Sequence, residues 1–147
     1  NIKLHMVGKL QTNKVKFVLP IFDYIHSLDN LKLAKKISEE QKKCEIKPKI
    51  FIQINIGNET QKNGIEINNL ENFYTTCTNE LNLDIIGLMC LPPNDQTSSV
   101  YFAKMQHLIN KIQVKDLSMG MSNDYLEAIK FKSTFLRIGS KIFGSRI

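Results

Sequence analysis

Short apolar runs alternate with helix-period patterns along this chain. Residues 4–7, 21–26, 50–55, 85–89, 114–119 and 135–138 read as strands. Several are close to continuous in apolar residues, as expected when both faces of a parallel sheet are covered. Between them, Leu31, Ala34 and Ile37 share one face of a helix over about 30–43. Ile67, Leu70, Phe73, Cys77 and Leu81 mark a second helix, and Phe102, Met105, Leu108, Ile109 and Ile112 a third. A fourth begins at Ser122, whose hydroxyl suits an N-cap, with Tyr125, Ala128 and Ile129 turned inward. Residues 11–16 fit either a short helix or a loop.

Alternation of strand and helix predicts an α/β fold. A doubly wound sheet and a (β/α)8 barrel both satisfy it, and periodicity does not separate them. Gly8, Gly57, Gly120 and Gly139 fall at or after strand C-terminal ends, the edge where both architectures bind ligands. No linker or longer repeat divides the chain, so residues 1–147 read as a single domain. The chain opens on Asn1 rather than Met and enters a strand-like stretch at once, so it is expected to begin inside a fold.

The net charge of +6 raises a nucleic-acid reading. Lys32, Lys35, Lys36, Lys42, Lys43, Lys47 and Lys49 lie on or just after one amphipathic helix, with no RNA-binding aromatic motif among them. A solvated outer face accounts for them, and no nucleic-acid partner is expected. No apolar run is long enough to cross a bilayer and no signal peptide opens the chain. Cys44, Cys77 and Cys90 are odd in number and widely spaced, and make no zinc set with His5, His26 and His107. They read as reduced thiols of a cytoplasmic protein.

Arg137, Gly139 and Ser140 form the strongest local constellation. Arg137 and Gly139 share a strand face. A guanidinium is a permanent cation, and a glycine at a helix start lets amides approach a phosphate. The plainer alternative is an Arg paired with a structural carboxylate, followed by a turn. Ser122 caps a helix, binds a phosphate, or does both, and Met119 and Met121 are more often packing residues than ligand contacts. The two strand ends together carry more weight, because the loops after the last two strands of a barrel often hold a phosphate. Gln53 and Asn55 share a face of the third strand, with Glu59 and Lys62 beyond, and polar groups there need partners. His5 and His26 read as satisfied core histidines and His107 as a surface residue. No Ser-His-Asp set, P-loop or GxGxxG is present.

The run Leu4-His5-Met6-Val7-Gly8-Lys9-Leu10-Gln11-Thr12-Asn13-Lys14 resembles the "HFIGxLQxNK" segment of the pyridoxal phosphate homeostasis proteins. Ile25-His26-Ser27-Leu28-Asp29, Gln53-Ile54-Asn55 with Glu59, Lys62 and Gly64, and Gly87-Leu88-Met89 follow in family order. Residues 117–124 match "LSMGMSxD" and 137–146 match "RIGxxIFGxR". The resemblance implies a TIM-type barrel of the alanine racemase N-terminal kind, with about six of its eight β/α units here. It implies binding of pyridoxal 5′-phosphate (PLP), with Ser122, Gly139 and Ser140 at the phosphate and Arg137 near the pyridine nitrogen. Met121 and Asn55 complete the expected cofactor-binding set. A cation at the ring nitrogen weakens the ring as an electron sink, which suits a carrier.

The family is cytoplasmic and mostly monomeric, serves PLP supply and buffering, and has no established reaction. Its recipients would be PLP-dependent apoenzymes. An amino-acid racemase on the same barrel is the runner-up. The sequence departs from the family in three respects. The N-terminal strands that bear the Schiff-base lysine and a "GENxxQE" motif have no match, so no lysine here takes that role and the barrel is expected to be incomplete. Lys132 stands where the family usually has Gly, and Ser140 replaces the usual Thr.

Overall fold

A computed structural model describes residues 1–60, 63–94 and 97–145. Lys62 of the third-strand motif and Arg146 of the last motif lie outside the described residues. Six strands, β1 (His5–Met6), β2 (Tyr24–Leu28), β3 (Lys49–Ile54), β4 (Asp84–Cys90), β5 (Asp116–Met121) and β6 (Phe135–Arg137), form one parallel sheet in the order β1-β2-β3-β4-β5-β6. Doubly wound sheets reverse their strand order at a switch point, whereas a barrel adds each strand beside the last. The sequential order therefore settles the choice for the barrel arrangement. Among the described residues β1 and β6 each pair on one side only. The sheet is nevertheless curled, because the rings of His5 on β1 and Phe135 on β6 lie 5.8 Å apart, and those of Tyr24 and Phe135 5.6 Å apart. Irregular register in β2, β4 and β5 helps that curl, since a bulge bends its strand.

The convex face is apolar and carries the helices α1 (Val15–Val18), α2 (Leu31–Cys44), α3 (Leu70–Thr75), α4 (Ser98–Ile112) and α5 (Tyr125–Lys130). Ile25, Ile50, Ile52, Leu88 and Leu117 from the strands join Leu33, Ile37, Leu70, Phe102 and Met105 from the helices in one buried cluster. Burying each such side chain is worth about 1.5–3 kcal/mol. Phe51 and Met89 are buried but lie outside that cluster. They belong to the concave interior, where Phe51 stacks on His26 at 4.4 Å and meets Phe135 edge-on at 5.2 Å.

Several elements differ from the sequence pattern. Residues 21–23 form a turn rather than the start of β2, because the amides of Ile21 and Phe22 donate back to Val18 O at the end of α1. Residues 11–16 form a short 3-10 turn (Thr12–Lys14) leading into α1. In α2, Asn30 caps the helix by accepting from Leu33 N at 2.8 Å, which places Leu31 in the first turn, where it is exposed. The buried stripe is instead Leu33, Ala34, Ile37, Ser38 and Gln41. Ile129 of α5 is likewise exposed, and Ala128 is the residue that α5 buries. Lys32, Lys35 and Lys42 sit on the exposed side of α2, while Lys36 and Lys43 pair with Glu39 and Glu40. No helix among the described residues is long and apolar enough to cross a membrane.

Two backbone positions generate tests. A Cβ on Gly87 would lie 2.1 Å from Asp116 O and 2.8 Å from Phe51 Cε1, both in rigid surroundings. Gly87→Ala is expected to cost about 3 kcal/mol in denaturant unfolding, as overpacked sites do. Lys132 adopts φ +62°, so this chain keeps the left-handed turn that glycine favours while carrying a side chain that strains it. Lys132→Gly is expected to raise stability by up to about 1 kcal/mol, read as a higher unfolding midpoint.

Candidate functional site

The C-terminal ends of β5 and β6 meet at one rim of the curled sheet. Gly120 has φ +97°, and a Cβ there would lie 2.6 Å from Ala128 Cβ, so the glycine lets α5 pack directly against the strand end. After Met121 the chain makes a tight turn. Asp124 Oδ1 accepts from Met121 N at 2.7 Å, and Asp124 N donates to Met121 O at 3.1 Å. Asp124 Oδ2 accepts from Ser98 Oγ at 2.9 Å, tying the turn to the start of α4. This turn delays α5, so Asp124 rather than Ser122 occupies the N-cap position. Ser122 is thereby freed to bridge the loops. Its Oγ accepts from Gly139 N at 3.2 Å and Lys141 N at 3.3 Å, at the start of α6 (Ser140–Phe143). Two acceptor positions are filled, so the hydroxyl proton points elsewhere and can be given to an anion. A cavity of about 470 Å³ opens beside Ser122, lined also by Thr97, Ser98, Tyr125 and Lys141. The Lys141 ammonium lies over the Tyr125 ring, 5.2 Å from its centre.

Arg137 sits at the end of β6, on the concave side of the sheet. Its Nη1 donates to Ser118 Oγ and its Nη2 to Cys90 O, each at 2.7 Å. No carboxylate pairs with it among the described residues. Burial lowers its pKa, partly offset by Cys90 and Asp124, but a guanidinium remains charged. Among the described residues, Ser118 Oγ and Cys90 O are the hydrogen-bond partners of its guanidinium. Beyond Ser118 the polar contacts continue. Ser118 Oγ lies 2.7 Å from His26 Nδ1, and His26 Nε2 lies 2.9 Å from His5 Nδ1. Burial, with the charges of His5 and Arg137, pushes His26 down to about 3. Burial pushes the Cys77 and Cys90 thiols up to about 12, while Cys44 is exposed.

The structure brings Ser122, Gly139 and Arg137 to the same rim. Ser140 begins α6 there and is exposed. Met121, the last residue of β5, is 47% exposed and does not pack into the core. Asn55 stands apart. Its Nδ2 donates to Glu59 O at 2.8 Å and its Oδ1 accepts from Glu59 N at 3.1 Å, so both ends of the amide clamp the loop after β3. Gln53 is directed to the same loop, with Nε2 at 3.5 Å from Asn63 O. Ser118 was not among the residues singled out from sequence. The available signal was a serine set between Leu117 and Met119, a polar group that demands a partner where the strand is buried. Among the described residues no three His, Cys, Asp or Glu side chains converge as a metal site.

Comparison with known proteins places the fold. Residues 4–147 match the family described as alanine racemase, N-terminal domain. The pyridoxal phosphate homeostasis protein of Aquifex aeolicus is 36% identical over 99% of this chain and 68% of its own length. That of Escherichia coli K12 is 33% identical over 99% of this chain and 65% of its own length. The chain thus spans about two thirds of the curated relatives it matches. PipY of Synechococcus elongatus superposes with a TM-score of 0.89 in a structure without PLP, at 28% identity, covering 97% of this chain and 71% of PipY. A PipY structure with PLP bound gives a TM-score of 0.88 at 27% identity, over the same shares.

The His26 environment has a pH consequence. The folded chain holds His26 neutral down to about 3, whereas the unfolded chain protonates it near 6.5. Between those values the unfolded state binds the extra proton, so stability falls as pH drops through the window and is unaffected above it. The expected slope is up to about 1.4 kcal/mol per pH unit. Urea unfolding at stepped pH from 6.5 down to 5.5, above the ordinary carboxylate value of 4.5, should give a shallower slope for His26→Asn than for the native chain. Equal slopes would contradict this account.

Proposed function

The chain belongs to the alanine racemase N-terminal domain family, among its pyridoxal phosphate homeostasis proteins, and from that membership we propose that it binds PLP and serves in intracellular PLP supply and buffering. The observation that carries the reading is the Ser122 bridge. One hydroxyl joins the β5 and β6 loop tips through the amides of Gly139 and Lys141 and keeps its proton for an anion. The residues present fit the phosphorylated ligand. Ser122, held by the Gly139 and Lys141 amides, would donate its hydroxyl proton to the phosphate, and Arg137 would present N–H groups to the ring edge. When bound, PLP supplies an aldehyde that condenses reversibly with amines, and a permanent cation beside the ring nitrogen disfavours its protonation.

The non-catalytic role follows the name carried by the relatives above 30% identity. Solved alanine racemases share 17–18% identity with this chain, a likeness of fold alone. On this reading the protein is a cytoplasmic monomer that yields PLP to apoenzymes.

Equilibrium dialysis of the chain against PLP tests the reading. Saturable binding is expected, with pyridoxal lacking the phosphate binding at least about tenfold more weakly. Ser122→Ala is expected to weaken PLP by about tenfold, the loss of one charge-assisted hydrogen bond. Equal affinity for PLP and pyridoxal, or an unchanged Ser122→Ala variant, overturns the phosphate site.

A further inference from the structure

The polar line through the barrel interior has no part in holding a phosphate. It joins β6, β5, β2 and β1 through Arg137, Ser118, His26 and His5. Ser118 is 0% exposed and His26 2% exposed, so every proton in the line needs a protein partner. Resting on the reading that Arg137 faces the ring of bound PLP, we propose that Ser118 and His26 are positioning residues for the Arg137 guanidinium, joined with His5 in one hydrogen-bond chain of fixed direction.

The direction follows from donor chemistry. A guanidinium has no acceptor, so Arg137 Nη1 donates and Ser118 Oγ accepts. The only other polar partner of Ser118 Oγ among the described residues is His26 Nδ1, 2.7 Å away. If His26 donated there, the Ser118 proton would be buried without an acceptor, at a cost of about 1–3 kcal/mol. Ser118 therefore donates to His26 Nδ1. A neutral imidazole with an accepting Nδ1 carries its proton on Nε2, which then donates to His5 Nδ1 at 2.9 Å. Each member thus determines the next, and a buried network satisfied in one sense only is rigid. The stack of His26 on Phe51, with rings 4.4 Å apart and 19° between planes, holds the imidazole plane. Ser118 cannot rotate away without leaving both neighbours unpaired. Arg137 is anchored on its other side by Cys90 O. Among the described residues the cation is thus fixed in place by neutral groups.

The test needs no ligand in its first arm. Arg137 and Arg146 are the only arginines of the chain, so guanidinium signals in an 15N-labelled sample are readily assigned. The expected result is His26 as the Nε2–H tautomer and an Arg137 guanidinium whose C–N rotation is slower than that of free arginine. Ser118→Ala and His26→Leu should restore fast rotation. His26→Asn, whose Oδ1 can accept from Ser118, should retain slow rotation. A His26 Nδ1–H tautomer, or slow Arg137 rotation persisting in both Ser118→Ala and His26→Leu, overturns the proposal. The second arm is PLP dialysis of Ser118→Ala, expected to bind about tenfold more weakly. Unchanged affinity with a freed guanidinium overturns the positioning role and leaves the phosphate site to be judged by Ser122→Ala. If neither native chain nor variant binds PLP, the functional reading fails while the first arm still decides the hydrogen-bond chain.

Discussion

A guanidinium inside a curled sheet, with no ion-pair partner among the described residues, is held by neutral dipoles. Arg137 is held by a serine hydroxyl from β5 and a carbonyl from β4. That demand reaches across three strands. Met89 pairs with Ser118, Ser118 with Phe135, and Met121 with Arg137 in the sheet register. A slip of one residue in β5 would turn Ser118 to the helix side and put an apolar side chain against the cation. The irregular register between Ser118 and Met121 is part of the same arrangement, because it aims the end of β5 at the β6 loop.

The rim depends on this interior in turn. Met121 and Ser122 follow Ser118 within one strand end, and Gly139 follows Arg137 within two residues. The Ser122 bridge to Gly139 and Lys141 is therefore set by how β5 and β6 lie against each other. Asp124 closes the rear of the turn and links it to α4, so the loop is braced from the helix layer as well. The Ser122 bridge and the anchors of Arg137 lie at the same C-terminal end of one strand pair.

Much of the fold was legible in the sequence because it rests on periodicity. The six strands and the helices between them follow from short, nearly continuous apolar runs and from runs of period near 3.6. Strand ends were less legible, since turn hydrogen bonds such as Phe22 N to Val18 O overrule hydrophobicity. Leu31 misled because an N-cap rotates the first turn, which a single apolar residue does not reveal. The order of the sheet was not legible, because either architecture satisfies the pattern. At the site, Ser122, Gly139 and Arg137 were legible as motifs, and the structure gathers them. Asn55 was read towards the ligand, and in the structure its amide bonds the Glu59 backbone four residues on. Ser118 and the His26–His5 pair were legible only as polar residues needing partners. Their partners lie up to 92 residues away, a distance that only the closing curl of the sheet removes.

The three thiols differ in a way that makes the molecule a clock of its own breathing. Cys44 is open to reagents at the end of α2, whereas Cys77 and Cys90 are shut away and held protonated. A thiol-directed dye will therefore mark Cys44 at once and the others only when the barrel opens. Because the Cys90 carbonyl is one of the two anchors of Arg137, the delay before that thiol reacts measures how long the cation's mooring stays closed.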